Sequence, residues 1–377
     1  MTSAYFEPGF RGGGPIKSVA RIIDSLSDGI DVSLITRDRD LGSSEPYPGL
    51  SGRWITRGRS RVFYLPTGRP RQWLRLVREL RAEPFDLLYL NSLWEPTFTV
   101  IAVVATWLGL LPVKSILLAP RGELSPGALT IKARKKRLFL KVWRPFLKSM
   151  NIEWHASNEG EALNICATFP DAKVRVNSDQ ISPPYTPLPF GSSHEGPVRL
   201  VFISRISPKK NLLLVLEALH ELSHPADFDI YGPSEDPVYW SRCESLIDHM
   251  PNHVRVTYHG ELAPERVRTV FSNYDAFVFP TLGENFGHVI AESLGASCPI
   301  ICSNETPWTE FLQAGGGMVV RDLTPAGLAV SLEHLALMNP SERVAAKKSA
   351  GDAFLNWRRQ CVEINVLDEV RNSLAES

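Results

Sequence analysis

The sequence predicts a mixed α/β protein built from two doubly wound domains in tandem, and three observations support this prediction. The chain has 377 residues, enough for two domains of roughly 100–200 residues each. Short β-branched runs alternate with helical patterns along most of it, as in parallel sheets covered by helices on both faces. A stretch rich in proline and glycine, 178–197, separates two such series, because it can continue neither a helix nor a central strand.

The two series define the expected domains. Strands of the first are predicted at 32–36, 62–65, 85–91, 115–119 and 152–156, with helices at 16–27, 70–82, 98–110, 128–148 and 159–168. Strands of the second are predicted at 198–204, 228–231, 254–258, 276–279, 299–302 and 318–320. We expect an N-terminal domain at 1–180, a linker at 181–197, a C-terminal domain at 198–351 and a last helix, 352–377, that crosses back to the N-terminal domain. Ligands bind beyond the carboxyl ends of parallel strands, so both domains are expected to face a central cleft.

Charge and cysteine content indicate the class of partner and the compartment. The first 190 residues contain 26 Lys and Arg against 17 Asp and Glu, whereas the rest contain 15 against 24. A basic half favours an anionic partner, such as a phosphate-bearing acceptor or an acidic lipid surface, although an uneven spread of solvated charge gives the same totals. Five cysteines without a CxxC pair indicate a reducing, cytoplasmic compartment. Neither a signal peptide nor a membrane-spanning stretch is predicted.

The segment richest in chemistry, FPTLGENFGHVIAESLG at 279–295, leaves a predicted strand and enters a helix. Gly287 lets the backbone approach a ligand closely, and the first N–H groups of a helix attract negative charge. Glu284 and Glu292 can hydrogen-bond two hydroxyl-bearing parts of one extended ligand, such as a sugar and a ribose. The alternative is that Glu284 caps the helix and Glu292 is a solvated residue. The apolar neighbours of Glu292 and the Gly/aromatic loop around Glu284 weaken that alternative.

A second predicted strand end, VFISRISPKKN at 201–211, presents two cations. Arg205 and Lys210 lie on the loop, and Asn211 is expected to cap the helix that follows. Two fixed cations suit a diphosphate because they neutralise charge on a leaving group. A solvated basic turn is the alternative, but the glutamate pattern downstream favours the ligand interpretation.

Arg205 and Lys210 followed by Glu284-x7-Glu292 resemble the signature of the retaining GT-B glycosyltransferases of family 4, over nearly the whole chain and most strongly over 198–320. The resemblance implies two Rossmann-like domains and a nucleotide-sugar donor bound mainly by the C-terminal one. It implies that Arg205 and Lys210 hold the diphosphate. Glu284 would bind sugar hydroxyls, making these three the catalytic group, and Glu292 would bind the ribose. Further implied donor contacts are the backbone amides of Asn285, Phe286 and Gly287.

The first domain is expected to contribute a glycine-rich loop, GFRGGGP at 9–15. The resemblance implies that Gly13 and Gly14 lie close to the donor phosphate and the acceptor. A flexible turn is the alternative, and the glycine spacing is not that of a dinucleotide fingerprint.

Acceptor-binding residues are predicted at two other strand ends of this domain. Many relatives carry a histidine where the loop APRGELSPG, 119–127, has Arg121 and Glu123. That departure resembles a subgroup associated with surface-polysaccharide assembly. His155 is the third candidate, with a structural role as its alternative.

Two further patterns concern metal and membrane. Asp38-Arg39-Asp40 matches a DxD pattern, but GT-B enzymes generally need no such metal, so we interpret it as a polar loop and predict neither metal nor cofactor. From Lys132 to Lys148, eight basic side chains interleave with apolar ones. This pattern is typical of a helix lying on an anionic membrane and equally of an ordinary helix with a basic outer face.

The sequence therefore predicts a retaining, metal-independent hexosyltransferase. Its donor would be a nucleoside-diphosphate sugar such as a UDP-sugar. Its acceptor would be a saccharide or a polyprenyl-diphosphate-linked saccharide, in exopolysaccharide, capsule or O-antigen assembly. A cytoplasmic protein, peripheral on the inner face of the membrane and without a nucleic-acid partner, is expected. A GT-B nucleotide-sugar epimerase and a catalytically silent scaffold are the alternatives, and the intact Arg/Lys and double-glutamate set favours the transferase over both.

Overall fold

The computed structural model describes residues 1–130, 133–181, 186–190, 195–361 and 364–375. The chain divides into two compact units: unit 1 comprises Met1–Ile181 and Glu363–Ser377, and unit 2 comprises Ser182–Val362. Both units contain parallel sheets covered by helices, which confirms the predicted α/β class. Lys132 and parts of the predicted linker, 182–185 and 191–194, lie outside the described residues.

Unit 1 contains two strand groups joined through Thr2, which bridges Ile35 of the first group and Leu90 of the second. The strands are β1 Ser33–Arg37, β2 Trp54–Arg57, β3 Ser60–Leu65, β4 Phe85–Asn91, β5 Val113–Ala119, β6 Ile152–Ala156 and β7 Lys173–Val176. Their orders are β1–β3–β2 and β4–β5–β6–β7, and the pairing of β2 with β3 is antiparallel whereas the other pairings are parallel. Thr2 therefore lies between β1 and β4, where the strand order changes direction.

Helices of unit 1 cover these strands. They are α1 Gly14–Asp24, α2 Pro70–Ala82, a π-helical turn Pro96–Val100 that continues into α3 Ile101–Trp107, α4 Pro126–Thr130, α5 Ala133–Lys148 and α6 Glu159–Thr168. The predicted helix 98–110 thus begins as a wider turn, since Pro96 starts it and Glu95 caps it. The predicted helix 128–148 corresponds to two separate elements, α4 and α5.

Unit 2 is built on a six-stranded parallel sheet. Its strands are β8 Val198–Ile203, β9 Ala226–Tyr231, β10 Val254–Tyr258, β11 Ala276–Phe279, β12 Ile300–Ser303 and β13 Gly317–Val320. The order is β10–β9–β8–β11–β12–β13, so the direction of winding reverses between β8 and β11. All side chains of β11 and β12 are buried, as expected for central strands covered on both faces.

Unit 2 has short turns as well as helices around this sheet. These are a 3₁₀ turn Pro208–Lys210, α7 Leu212–His220, α8 Pro237–Ile247, α9 Pro264–Ser272, α10 His288–Gly295, α11 Thr309–Phe311, a π-helical turn Leu312–Gly316, α12 Pro325–Leu337 and α13 Pro340–Gln360.

The predicted last helix, 352–377, is divided between two helices. The helix α13 begins earlier, at Pro340, because Asn339 and Glu342 form a capping box at its start, and it ends at Gln360. A separate helix, α14 Val366–Ala375, belongs to unit 1. Val366, Leu367 and Val370 of α14 pack in one core cluster with residues of α1. Asn365 Nδ2 donates to the Ile22 carbonyl at 2.7 Å, so the chain does return to the first unit.

Candidate functional site

The predicted donor-binding residues of unit 2 lie on loops that follow β8 and β11. These two strands are neighbours in the sheet and flank the point where its winding reverses. Arg205 and Lys210 follow β8, whereas Glu284 follows β11. Open α/β sheets bind ligands beyond the strand ends at such a reversal.

Backbone contacts lock the two loops together. Leu282 N donates to the Lys209 carbonyl at 2.9 Å, and the Thr281 hydroxyl oxygen lies 3.2 Å from the same oxygen. Asn211 does not cap α7 as predicted: it adopts a left-handed backbone, φ 61°, without a side-chain cap. Its Nδ2 donates instead to the Pro280 carbonyl at 3.2 Å, because the amide faces the neighbouring loop rather than the helix.

Lys210 and Glu284 form an ion pair between Nζ and Oε1, with side chains only 11% and 12% exposed. Thr281 donates its hydroxyl to the same carboxylate oxygen at 3.1 Å. Burial alone would raise the pKa of Glu284, but the Lys210 ammonium, the Lys209 charge and the Thr281 hydrogen bond together outweigh burial and hold that pKa below its ordinary value. The carboxylate is therefore ionised at neutral pH and can accept hydrogen bonds from hydroxyl groups.

Arg205 is paired as well, but near the surface. Its Nη1 lies 2.5 Å from Oε1 of Glu235, and the two side chains are 35% and 30% exposed. Glu235 lies on the loop after β9, which approaches the Arg205 loop closely: a Cβ on Gly232 would lie 1.8 Å from the Ser204 carbonyl oxygen. Only glycine fits there, at φ 136°.

An aromatic cluster supports the segment that enters α10. Trp308, on the loop after β12, donates Nε1 to the Phe286 carbonyl at 2.6 Å. Its indole packs 4.5 Å from that of Trp357 on α13. Gly287 precedes the helix with φ 83°, where a Cβ would lie 3.0 Å from Ile290 Cδ1. The hydrogen bond from Trp308 and the close packing around Gly287 therefore fix the backbone conformation from Asn285 to Gly287. Glu292 lies in the second turn of α10 and is half-buried.

Arg121 and His155 of unit 1 belong to a buried hydrogen-bond network. Arg121 Nη1 lies 2.6 Å from Asp179 Oδ1, and its Nη2 donates to the Tyr89 hydroxyl at 2.9 Å. That hydroxyl lies 2.6 Å from His155 Nδ1, and His155 Nε2 lies 2.8 Å from the Asn177 carbonyl. A carbonyl only accepts, so Nε2 carries the proton and Tyr89 donates to Nδ1.

Burial, followed by the nearby Arg121 charge, lowers the pKa of His155 to about 4. This imidazole is therefore neutral at pH 7, is 1% exposed, and has both ring nitrogens engaged. His155, which the sequence predicts to touch the acceptor, is not presented to a ligand in this conformation. The Arg121 side chain, 6% exposed, is similarly enclosed.

Glu123 holds the loop after β4. Its carboxylate accepts from the Leu93 amide at 2.6 Å, the Trp94 amide at 3.3 Å and the Ser92 hydroxyl at 2.7 Å. Ser92 has a φ of 97°, which is costly for a residue with a side chain. Burial raises the pKa of Glu123. The predicted acceptor residue thus acts within unit 1 as an anchor for the loop 92–95.

The glycine-rich loop is anchored by the DxD pattern. Asp40 accepts from the amides of Phe10 at 3.0 Å and Arg11 at 3.2 Å. Asp38 is buried, accepts from Ser51 and pairs with Arg39. Gly13 has φ 72° and precedes α1, so the predicted position of Gly13 and Gly14 at a helix start is observed.

The described residues offer neither a metal-binding cluster nor a membrane-spanning helix. No group of three or more His, Cys, Asp or Glu side chains there is arranged to hold a metal ion. No helix in that part of the chain has the length and apolar character needed to cross a bilayer. The five cysteines form no disulfide.

Sequence reasoning missed several residues that shape the candidate site. Thr281 donates a hydrogen bond to Glu284, and Glu235 forms an ion pair with Arg205. Trp308 donates a hydrogen bond to the Phe286 carbonyl. Each follows a strand of the same sheet, so an examination of every strand end, including those after β9 and β12, would have found them.

Two sequence comparisons relate the chain to known glycosyltransferases. Residues 189–351 match the family model described as glycosyl transferases group 1. A 122-residue segment is 25% identical to O-antigen chain mannosyltransferase B from Escherichia coli, and it covers 31% of each chain.

Solved structures resemble the chain over its whole length. The Anabaena protein Alr3699/HepE, crystallised with UDP and glucose, matches with a TM-score of 0.70 at 14% identity and full coverage of both chains. WaaG, a glycosyltransferase involved in lipopolysaccharide biosynthesis, matches with a TM-score of 0.64 at 12% identity, covering 98% of this chain and 97% of its own. The chain has the GT-B fold of these neighbours.

Proposed function

We propose that the chain transfers a sugar from a nucleoside-diphosphate sugar to a saccharide acceptor, because residues 189–351 match the family model described as glycosyl transferases group 1. The observation that carries the proposal is the position of Arg205, Lys210 and Glu284 at the winding reversal of unit 2. Two cations and an ionised carboxylate meet there on interlocked loops.

The donor diphosphate is expected to bind Arg205 and Lys210. Both cations have carboxylate partners in the structure described above, so a diphosphate would replace those contacts with stronger ones from its own charge. Glu284, released from part of its pairing, would accept hydrogen bonds from sugar hydroxyls. Glu292 would bind the ribose, and the backbone at Asn285, Phe286 and Gly287 would close the sugar pocket. A uridine nucleotide is the favoured class, because the HepE complexes hold UDP.

The transfer is proposed to proceed with retention of configuration and without a metal. The bond from the anomeric carbon to the diphosphate oxygen breaks as the bond to the acceptor oxygen forms on the same face. The acceptor proton passes to the departing phosphate. Arg205 and Lys210 stabilise the negative charge that develops on the leaving group, which is the role that electrostatic preorganisation has in such reactions.

The acceptor is proposed to be a saccharide, free or linked to a polyprenyl diphosphate at the inner face of a membrane. The mannosyltransferase and WaaG act in O-antigen and lipopolysaccharide assembly. In unit 1, α5 exposes Leu138 and Val142, each 68% accessible, among basic residues that are also exposed. A basic helix with exposed apolar residues suits an anionic lipid surface.

The proposal is tested by thermal shift with UDP, GDP, ADP and their common sugar conjugates, on the wild type and on Glu292→Ala. A ligand that binds only the folded state at a hundredfold excess over Kd stabilises it by about 2.7 kcal/mol. One nucleotide class is expected to raise the Tm of the wild type, and the variant should lose most of that shift. If no nucleotide raises the Tm of folded wild type, the protein is a scaffold rather than a transferase.

A further inference from the structure

We infer that Arg37 and Glu95 of unit 1 form a subsite for the hydroxyl groups of the acceptor saccharide, an inference that rests on the proposed transferase function. Arg37 is the last residue of β1, and Glu95 lies on the loop after β4. The two side chains form an ion pair, with Arg37 Nη2 2.8 Å from Glu95 Oε1.

The position of the pair follows from the strand order of unit 1. Thr2 bridges both β1 and β4, so these strands flank the point where the winding of this unit reverses. Arg37 and Glu95 thus lie at the carboxyl ends of the strands on either side of it. Open α/β sheets bind ligands beyond the strand ends near such a reversal; here the segment at Thr2 separates the two strands, whereas β8 and β11 of unit 2 pair directly.

The pair is held rigidly but is accessible. The Arg37 guanidinium lies 5.7 Å from the ring centre of Tyr5 and 5.5 Å from that of Phe98. Glu95 also accepts from the Phe98 amide. The Arg37 and Glu95 side chains nevertheless remain 25% and 13% exposed. A pair with this geometry has little side-chain entropy left to lose when a ligand binds.

Arg37 retains unused donor capacity. Its Nε is buried, and no described residue accepts a hydrogen bond from it. Thr36 Oγ1 beside it is likewise buried without a partner among the described residues, so the case for a ligand rests on the position and accessibility of the pair. Because Glu95 offsets the Arg37 charge, the pair attracts a neutral ligand with hydroxyl groups better than an anion. A saccharide, whose hydroxyls both donate and accept, meets that requirement.

The surrounding structure positions this pair rather than competing with it. Glu123 anchors the loop 92–95 through the Leu93 and Trp94 amides, and Ser92 is kept at φ 97°. Burying the Glu123 carboxylate and holding Ser92 at a positive φ both cost free energy of folding. We attribute that cost to a requirement for the loop 92–95 to hold the Glu95 carboxylate in one position. Glu123 is then a positioning residue, whereas Arg37 and Glu95 touch the saccharide.

The test is saturation-transfer NMR on the full chain with the methyl glycosides of glucose, mannose and galactose at millimolar concentration. Wild type is expected to bind at least one glycoside. Arg37→Lys, which keeps the charge but loses the planar fork, and Glu95→Gln should each weaken that binding about tenfold or more. The matched control is Arg75→Lys in the exposed Arg75–Glu79 pair on α2 of the same unit, which should bind as wild type does.

The outcomes distinguish this inference from the proposed function. Unchanged glycoside binding in both variants, or no binding of any glycoside by wild type, overturns the subsite. If UDP still raises the Tm of wild type in that case, the transferase proposal survives without it. Circular dichroism and a Tm close to that of wild type must accompany each variant, so that loss of binding in a folded Glu95→Gln protein supports the subsite even if Arg37→Lys is unstable.

Discussion

At the scale of single residues, the two cations proposed for the donor diphosphate differ in how firmly they are held. Lys210 and Glu284 are nearly enclosed, and Thr281 shares the carboxylate. Arg205 and Glu235 are about one-third exposed, so water screens their attraction and the pair contributes at most about 1 kcal/mol. Arg205 can therefore change partners at little cost, whereas Lys210 keeps its orientation.

Glu235→Gln should strengthen nucleotide binding. The substitution removes a carboxylate that competes with the diphosphate for Arg205, and the gain expected from an exposed pair is about 1.5- to 5-fold in affinity. Titration calorimetry with UDP at low salt measures it. Glu244→Gln, on the exposed side of α8, changes the net charge equally and should have less effect. Weaker binding in Glu235→Gln would contradict this account and assign Glu235 to orienting Arg205.

The same scale explains which site residues could be predicted from sequence. Glu284 and Lys210 follow strands that the alternation of patterns identified, and the topology of a parallel sheet brings such strand ends together. The enclosure of His155 could not be predicted, because its partners come from Tyr89 and Asn177, 66 and 22 residues away in sequence. A strand-end histidine has the same sequence appearance whether it is buried or presented to a ligand.

At the scale of elements, α5 is distinguished by apolar side chains that its unit leaves exposed. One face packs Trp143 and Leu147 into the core, while Leu138 and Val142 point away from it, one turn apart. Exposed Trp107 on α3 contacts Phe146 of α5 at 5.6 Å between ring centres. Both helices thus carry exposed apolar side chains, and those of α5 lie among exposed basic residues.

Leu138→Glu combined with Val142→Glu should abolish binding to anionic bilayers. The wild type is expected to sediment with phosphatidylglycerol vesicles and not with phosphatidylcholine vesicles, since basic residues provide part of the attraction. The double variant should lose about tenfold or more in partitioning, because two apolar contacts are replaced by repulsive charges. Val330→Glu, 72% exposed on α12 of unit 2, is the control. Equal loss in the control, or no binding by wild type, would refute the membrane role.

Elements that sequence reasoning missed share a physical cause. β2 is short, carries an arginine and pairs antiparallel with β3 across the turn at Gly58. In β7, the basic residues Lys173 and Arg175 alternate with valines, and the strand is only partly buried. Both are outermost strands of their groups, where the packing that enforces an apolar pattern is present on one side only. The buried central strands, by contrast, were predicted to within two residues at either end.

At the scale of the whole molecule, unit 1 is assembled from two distant parts of the chain. The helix α14 contributes Val366, Leu367 and Val370 to the core beneath α1, after the entire second unit has intervened. The stability of unit 1 therefore depends on residues that are remote in sequence.

Leu367→Ala should destabilise unit 1 by about 2–5 kcal/mol, because the side chain is 7% exposed and leaves a cavity. Leu374→Ala, the same change on the same helix at a residue 38% exposed, should cost less than about 1 kcal/mol. Urea denaturation followed by tryptophan fluorescence measures both. If UDP still raises the Tm of Leu367→Ala, the candidate nucleotide site of unit 2 is intact, and the lost free energy of unfolding belongs to unit 1. Equal effects of the two substitutions would mean that α14 is dispensable.

The divided construction of unit 1 has a consequence for its biosynthesis. The ribosome must translate the 181 residues of Ser182–Val362 before α14 emerges, which takes roughly 9–36 seconds at about 5–20 residues per second. Throughout that interval the nascent chain exposes the apolar surface of α1 that α14 later covers. Unit 1 therefore completes its core only after the whole of unit 2 has been synthesised.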